Sequence, residues 1–328
     1  MSAPAPRAPR EQSDDDSVLP FAVEALDVRG RMARLGPALG ELLAYHDYPR
    51  PVARLVAEAA ILATLLATSL KAARRFILQT QTDGPVDMLV VDVTAPERLR
   101  AYARFDAGRV AEVANGKHDG GILLGRGHLA MTIDPGGDMN RYQGVVALEG
   151  EGLEAAAHGY FARSEQIPTV IRLAAGEEMR AGSRVPVWRA GGLLAQFLPR
   201  ESARIVRADL DPGNAPAGTP RHAVAEDDAW VEARSLVATL EDHELIDPAL
   251  SGERLLWRLF NERGVRVFRP MPVAAECSCS RARVKGMLGS FSAADRAGMV
   301  EKGRVTVKCE FCGRAYDFAP DEIGAETP

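Results

Sequence analysis

Every cysteine of this 328-residue chain lies near its C-terminus, as Cys277-x-Cys279, then 29 intervening residues, then Cys309-x-x-Cys312. Four thiolates suit the closed tetrahedral geometry of a zinc site. CxxC is a common half-site because its sulfurs converge across a tight turn, and Gly313, directly after Cys312, supplies the backbone freedom such a turn uses. The CxC half-site holds two thiolates close together and makes them candidates to pair with each other once the metal leaves. The spacing leaves three readings open: four unremarkable buried cysteines, a structural zinc ribbon, and a metal-gated switch. Zinc keeps thiolates deprotonated, and the thiolate is the form that oxidants attack. Such sites contribute on the order of 10–16 kcal/mol to folding, against about 5–15 kcal/mol for a whole domain. A unit of about 50 residues has little core of its own. Metal loss is therefore expected to unfold it and to loosen any neighbour packed on it.

Other candidate chemistry is weaker. From Glu276 to Ala319 there are eight Lys/Arg and five Asp/Glu; with a zinc–tetrathiolate site at −2, the segment is close to neutral, which argues against a phosphate-binding face. Gly125-Arg-Gly-His-Leu-Ala130 matches a dinucleotide fingerprint, but a strand is expected from His128 to Ile133 where that motif needs a helix, so a strand-turn-strand is the expected context. Gly108 to His118 has Ala111 in place of the first glycine of a phosphate loop and His118 in place of its Ser/Thr. No nucleotide site is expected. The six histidines are scattered and form no HExxH, and Ser164 within Arg163–Gln166 has no placed partner base. No catalytic set emerges, so the chain is not expected to be an enzyme.

The elements that must carry the cysteines follow from composition and periodicity. Hydrophobic residues are 46%, charged residues 26% and the net charge is −5, an ordinary soluble balance without a strong pull toward nucleic acid. The N-terminus lacks the apolar stretch of a secretory signal. The longest uncharged run, Ala59 to Leu70, has 12 residues, short for a bilayer. A cytoplasmic protein with no membrane partner is expected, where clustered cysteines point to metal or redox chemistry rather than structural disulfides. Residues 1–17 read as a disordered tail. Residues 18–199 read as one α+β core domain. It has a helix from Pro49 to Lys71, with Leu55, Ala59, Leu62, Leu66 and Leu70 on one face and Ile61 and Leu65 on another. Phe76–Thr82 and Val86–Thr94 form a hairpin around Asp83-Gly84-Pro85, further strands are expected at 128–133, 141–148, 169–173 and 192–198, and a helix at 153–166. Residues 200–275 read as a linker: a Pro/Gly-rich loop at 211–221, then marginal helices near 229–243 and 253–262 with apolar faces. Residues 276–328 form the zinc-binding unit.

These residues resemble the bacterial redox-regulated 33-kDa heat-shock chaperone family. Glu276-Cys-Ser-Cys-Ser-Arg281 and Val307-Lys-Cys-Glu-Phe-Cys-Gly313 look like its CxC and CxxC blocks. Leu78–Pro85, Arg141–Val146, Tyr160–Gln166, Ala190–Leu194 and Leu255–Phe260 are similar to further family blocks in the same order, so the likeness spans roughly residues 18 to 320.

The resemblance implies an ATP-independent holdase. In the reduced form Cys277, Cys279, Cys309 and Cys312 bind one Zn2+ per chain and the protein is quiescent. Oxidation under unfolding conditions forms the disulfides Cys277–Cys279 and Cys309–Cys312, expels the metal and unfolds the linker. The active form, a homodimer, binds unfolding client proteins. The expected client surface includes Leu236, Leu240, Leu255 and Phe260. A thiol–disulfide oxidoreductase using Cys309 and Cys312, and a zinc-ribbon nucleic-acid binder, are the alternatives. The N-terminal tail and the 211–221 stretch are longer than the family pattern requires.

Overall fold

A computed structural model describes residues 15–69, 74–94, 98–113, 120–137, 139–179, 182, 184–199 and 226–324. Most of the expected tail, the 211–221 stretch and Gly116-Lys117-His118 lie outside the described residues. In chain order the elements begin with β1 (Ser17–Val23), β2 (Val28–Leu35), α1 (Pro37–Leu43) and α2 (Arg50–Ser69). Then come β3 (Arg75–Thr82), β4 (Val86–Thr94), β5 (Arg98–Phe105), α3 (Ala107–Val113), α4 (Gly120–Leu124), β6 (Arg126–Asp134) and β7 (Tyr142–Glu149). α5 (Leu153–Tyr160), β8 (Thr169–Glu178) and β9 (Val187–Phe197) follow, then α6 (Asp228–Ala238), α7 (Asp242–Ile246) and α8 (Gly252–Phe260). The C-terminal part holds β10 (Arg266–Val267), β11 (Met271–Pro272), β12 (Ala274–Ala275), α9 (Arg281–Gly289), α10 (Ala293–Gly298), β13 (Val305–Lys308), β14 (Ala315–Phe318) and α11 (Pro320–Gly324).

The mixed α+β architecture expected from the sequence is present. One sheet runs β10-β1-β2-β9-β8, with β11 also on β1; a second runs β12-β5-β4-β3-β6-β7. All pairings are antiparallel except β12 on β5. Helix α2 lies between the two sheets, touching β2, β8 and β9 of one and β3, β4 and β5 of the other. That position explains its apolar residues on every side: Leu55, Ala59, Ile61, Leu62, Leu65 and Leu66 are all buried. Its length and mean hydropathy of 1.6 would suffice to cross a bilayer, but 78% of the apolar window is covered by protein, so it is the central core helix. Asp15 and Asp16, at the edge of the expected tail, are built into the fold: the Asp16 carboxylate accepts from the backbone N–H of Gly36 and Ala38 at the start of α1.

Three local expectations are corrected. The 153–166 helix is α5 followed by a π-helical turn over Phe161–Glu165, and Gln166 ends it in the left-handed region at φ 52°. The 229–243 helix is broken after Ala238: Glu241 starts α7 with a reciprocal cap, its side chain bound to the Glu244 backbone and its own N–H bound to the Glu244 carboxylate. Gly125 alone joins helix α4 to strand β6, which holds Gly127, a helix-turn-strand that inverts the order a dinucleotide site requires.

Helices α6, α7 and α8 cover the outer face of the first sheet. Trp230, Val237, Leu240, Leu245, Leu255, Leu256 and Phe260 join Phe21, Met32, Leu193 and Phe197 in one apolar layer. Gly191 permits the closest approach, since a Cβ there would lie 2.1 Å from the Leu245 carbonyl oxygen. Beyond α8, the short strands β10, β11 and β12 strap the chain first to β1 and then to β5.

Candidate metal centre

Two turns bring the cysteines together. Cys277 and Cys279 lie in the loop between β12 and α9, whose start is fixed by the Ser280 hydroxyl accepting from the Arg283 N–H. Cys309 and Cys312 lie in the turn of the β13–β14 hairpin. There the Gly313 N–H donates to the Cys309 carbonyl at 2.8 Å, the Cys309 N–H donates to the Arg314 carbonyl, and Gly313 sits at φ 65°, a conformation that disfavours any side chain.

The four sulfurs all lie within 4.8 Å of one another, with Cys277 Sγ–Cys309 Sγ at 3.7 Å and Cys279 Sγ–Cys312 Sγ at 3.4 Å. A tetrahedral zinc with bonds of ~2.3 Å has sulfur–sulfur edges of ~3.8 Å, so the donor set fits the ion in number, type and spacing. All four are free thiols.

The electrostatics also call for a cation. Burial pushes the Cys312 thiol up to about 12, aided by hydrogen bonds with Cys279 and Cys277. Burial likewise raises Cys277. Burial raises Cys279 too, but hydrogen bonds from the Tyr316 hydroxyl, at 3.1 Å, and from the neighbouring thiols outweigh it and bring Cys279 down to about 7. One thiolate thus forms readily and two partners resist, chiefly because they are buried away from water; a divalent ion would supply the missing counter-charge.

The surrounding unit has a small core of its own: Leu288, Val305, Tyr316, Phe318 and Ile323 are its buried cluster. Arg281 reinforces it, stacking over Phe318 at 4.4 Å and donating to the Asp317 carbonyl and the Glu322 carboxylate. The unit docks on the second sheet through Phe311, the residue before Cys312. The Arg100 guanidinium lies 4.1 Å from its ring centroid, Tyr102 packs at 6.4 Å, and His46 Nε2 donates to its carbonyl at 3.3 Å. Tyr316 and Phe311 escaped the sequence reading. Tyr316 was legible as an inward position in the alternating Ala315–Phe318 strand, whereas Phe311 has no local signal.

The four linker residues fall elsewhere. Leu240, Leu255 and Phe260 are buried and Leu236 half-buried, all in the layer on the first sheet. The fold brings the cysteines together and leaves these side chains covered. Two buried arginines of the sheet fix that cover, and sequence reasoning missed both. Arg34 donates to the backbone carbonyls of Glu244, Asp247 and Leu250. Arg189 donates to the Ile246 carbonyl at 2.8 Å while paired with Asp15 and Glu178.

Comparison with known proteins agrees with this anatomy. Residues 16–319 match the family model described as Hsp33 protein. The 33 kDa chaperonin of Caulobacter vibrioides is 45% identical over 309 residues, covering 93% of this chain and 95% of the relative. That of Azotobacter vinelandii is 36% identical over 313 residues, covering 95% and 94%. The crystal structure of the Thermotoga maritima 33 kDa chaperonin, 20% identical, superposes with a TM-score of 0.71 over 94% of this chain and 96% of that one.

Proposed function

The chain belongs to the Hsp33 family, and on that premise we propose that it is a redox-regulated, ATP-independent holdase chaperone of the cytoplasm. The observation that carries this reading is the convergence of Cys277, Cys279, Cys309 and Cys312 in a unit whose hydrophobic cluster, among the described residues, has five buried members. When one Zn2+ is bound, it supplies the counter-charge that lets all four thiols ionise together. The chain's own part is to position them: the Gly313 turn and the Ser280 cap orient the two half-sites, Tyr316 holds the Cys279 sulfur, and Phe311 ties the unit to the core.

Oxidation removes the ligands. Each pair of thiolates gives up two electrons to form one S–S bond; hydrogen peroxide accepts them as its O–O bond breaks, and the two hydroxides formed take two protons from solvent to leave as two waters. The pairs proposed, from the family resemblance, are Cys277–Cys279 and Cys309–Cys312. With the metal gone, the unit of 276–328 loses its largest stabilising term and its hold on the linker, and under unfolding conditions the linker of 200–275 then loosens from the core of 18–199. Leu236, Leu240, Leu255 and Phe260 then become available, with the sheet face beneath them, to unfolding clients. The active form is proposed to be a homodimer. Its activity is binding rather than catalysis.

The test is peroxide with mild heat on the reduced, zinc-loaded chain. Release of about one zinc per chain, together with suppression of client aggregation in the absence of ATP, is expected. Fully oxidised, zinc-free protein that leaves aggregation unchanged refutes the proposal.

A further inference from the structure

A cavity of about 340 Å3 lies where the metal-binding unit meets the second sheet, on the CxC side. Arg75, Arg98 and Arg100 line it from strands β3 and β5; Arg283 lines it from helix α9. The facing carboxylates are Asp92 and Glu276. Four guanidiniums against two carboxylates leave an excess of two positive charges.

The two acids act differently. Asp92 is nearly buried, with its side chain 4% exposed, and it accepts from Nε and Nη2 of both Arg75 and Arg100. Burial alone would raise its carboxyl, but these hydrogen bonds and charges more than offset that and hold it below its ordinary value. Asp92 thereby fixes two guanidiniums side by side at the cavity wall, and the Arg100 guanidinium is further stacked on Phe311. Glu276 is exposed and touches Arg98 only at 3.6 Å, so it is a loose internal counter-ion rather than a fixed one. Arg283 is oriented by donating to the Ser278 carbonyl at 2.8 Å.

We propose that this cavity binds a small phosphate-class polyanion of inorganic pyrophosphate size, bridging Arg75, Arg98 and Arg100 of the core to Arg283 of the metal-binding unit. Guanidinium forks match phosphate oxygens in geometry and charge. The volume is at the small end of the ~300–1,000 Å3 of ligand pockets. Among the described residues lining it there is no aromatic ring on which a base could stack, which favours an inorganic ligand over a nucleotide. A ligand held from both sides binds the docked arrangement better than an undocked one and so biases the molecule toward it.

The experiment is calorimetric titration of the reduced, zinc-loaded full chain with pyrophosphate at low salt, with ADP as a second ligand. One site per chain is expected, weakening as salt rises. Arg98→Ala, on the core side, and Arg283→Ala, on the unit side, are each expected to weaken binding about tenfold, while Arg104→Ala, outside the cavity, leaves it unchanged. Glu276→Gln removes the competing carboxylate and is expected to tighten binding about fivefold, a gain that damage to the fold cannot imitate. Binding that is undetectable at low salt, unaltered by Arg98→Ala or Arg283→Ala, or not tightened by Glu276→Gln overturns the proposal. ADP binding tenfold more tightly than pyrophosphate overturns the inorganic assignment.

Discussion

Arg34→Met should open the linker without unfolding the core. Arg34 is 3% exposed, and its guanidinium donates to the carbonyls of Glu244 in α7 and of Asp247 and Leu250 in the turn that joins α7 to α8. Methionine keeps much of the length and apolar stem but removes every donor. If the linker stays docked, three backbone carbonyls lose a charged partner; Asp247 keeps the Leu250 N–H, and the other two are left unsatisfied at about 1–3 kcal/mol each. These costs are not additive, and about 3–5 kcal/mol in total is a reasonable expectation. Releasing the linker restores water to the carbonyls, so the cost falls on the docked state alone. At 1.4 kcal/mol per tenfold, the opening equilibrium of residues 228–260 should rise about 100-fold or more. Native-state amide exchange reads that directly: protection in α6 and α8 should fall by that factor while protection in α2 holds. On the proposed function, the variant should also suppress client aggregation partly while still reduced and zinc-loaded. Unchanged exchange in α6 and α8, or an equal loss in α2, would refute the local clamp.

Other perturbations probe the remaining contacts. On the proposed function, Cys312→Ser removes one of four zinc ligands; metal content should fall from about one per chain toward zero, and amides of the β13–β14 hairpin should lose protection because metal binding of about 10–16 kcal/mol exceeds what five buried residues supply. A hairpin still protected without metal would contradict this. Phe311→Ala removes the ring under Arg100, a cation–π contact of about 0.5–2 kcal/mol, and exchange of the Glu276 N–H, which donates to the Leu99 carbonyl at 3.0 Å, should quicken about 2- to 30-fold. Asp92→Asn tests a pH dependence. The folded-state carboxyl lies below its ordinary 3.8, so its contribution is present above about pH 4 and is lost as pH falls through the folded value. Thermal unfolding should show the wild type about 2–4 kcal/mol more stable than the variant at pH 7, with the gap narrowing below pH 4. A gap constant from pH 7 to pH 3 would count against the ion pairs.

The cysteine cluster was legible because its information is local. CxC and CxxC place two sulfurs each within a single turn, and only the joining of the two turns needed the fold. Helix α2 and the β3–β4 hairpin were legible for a similar reason: the period of Leu55, Ala59, Leu62 and Leu66, and Asp83-Gly84-Pro85 between two apolar runs, are each contained in a few residues. What could not be read depends on distant partners. Arg34 sits in a strand where an arginine ordinarily signals solvent, and its meaning comes from carbonyls more than 200 residues away. The break between α6 and α7 was hidden because Leu236, Val237 and Leu240 continue a helical period; Leu240 stays buried although it lies outside both helices. Gly191 reads as a flexible strand position until Leu245 is laid across it.

The path from metal to linker runs through weak elements. Cys277 is two residues beyond β12, a two-residue strand paired in parallel to β5, and β10 and β11 are equally short. These straps contribute few hydrogen bonds, so the metal's free energy reaches α8 only as a loss of tethering. The cover of the first sheet is far stronger: a layer of 19 buried residues, nine of them within 230–260, with Arg34 and Arg189 clamping its central turn. On the proposed function, metal loss would therefore remove the tether without removing what holds α6–α8 in place. A second input that weakens apolar packing and buried hydrogen bonds, such as heat or mild denaturant, is then required to lift the helices. On the proposed function, the cysteines decide whether the linker is tethered, and the temperature decides whether it leaves.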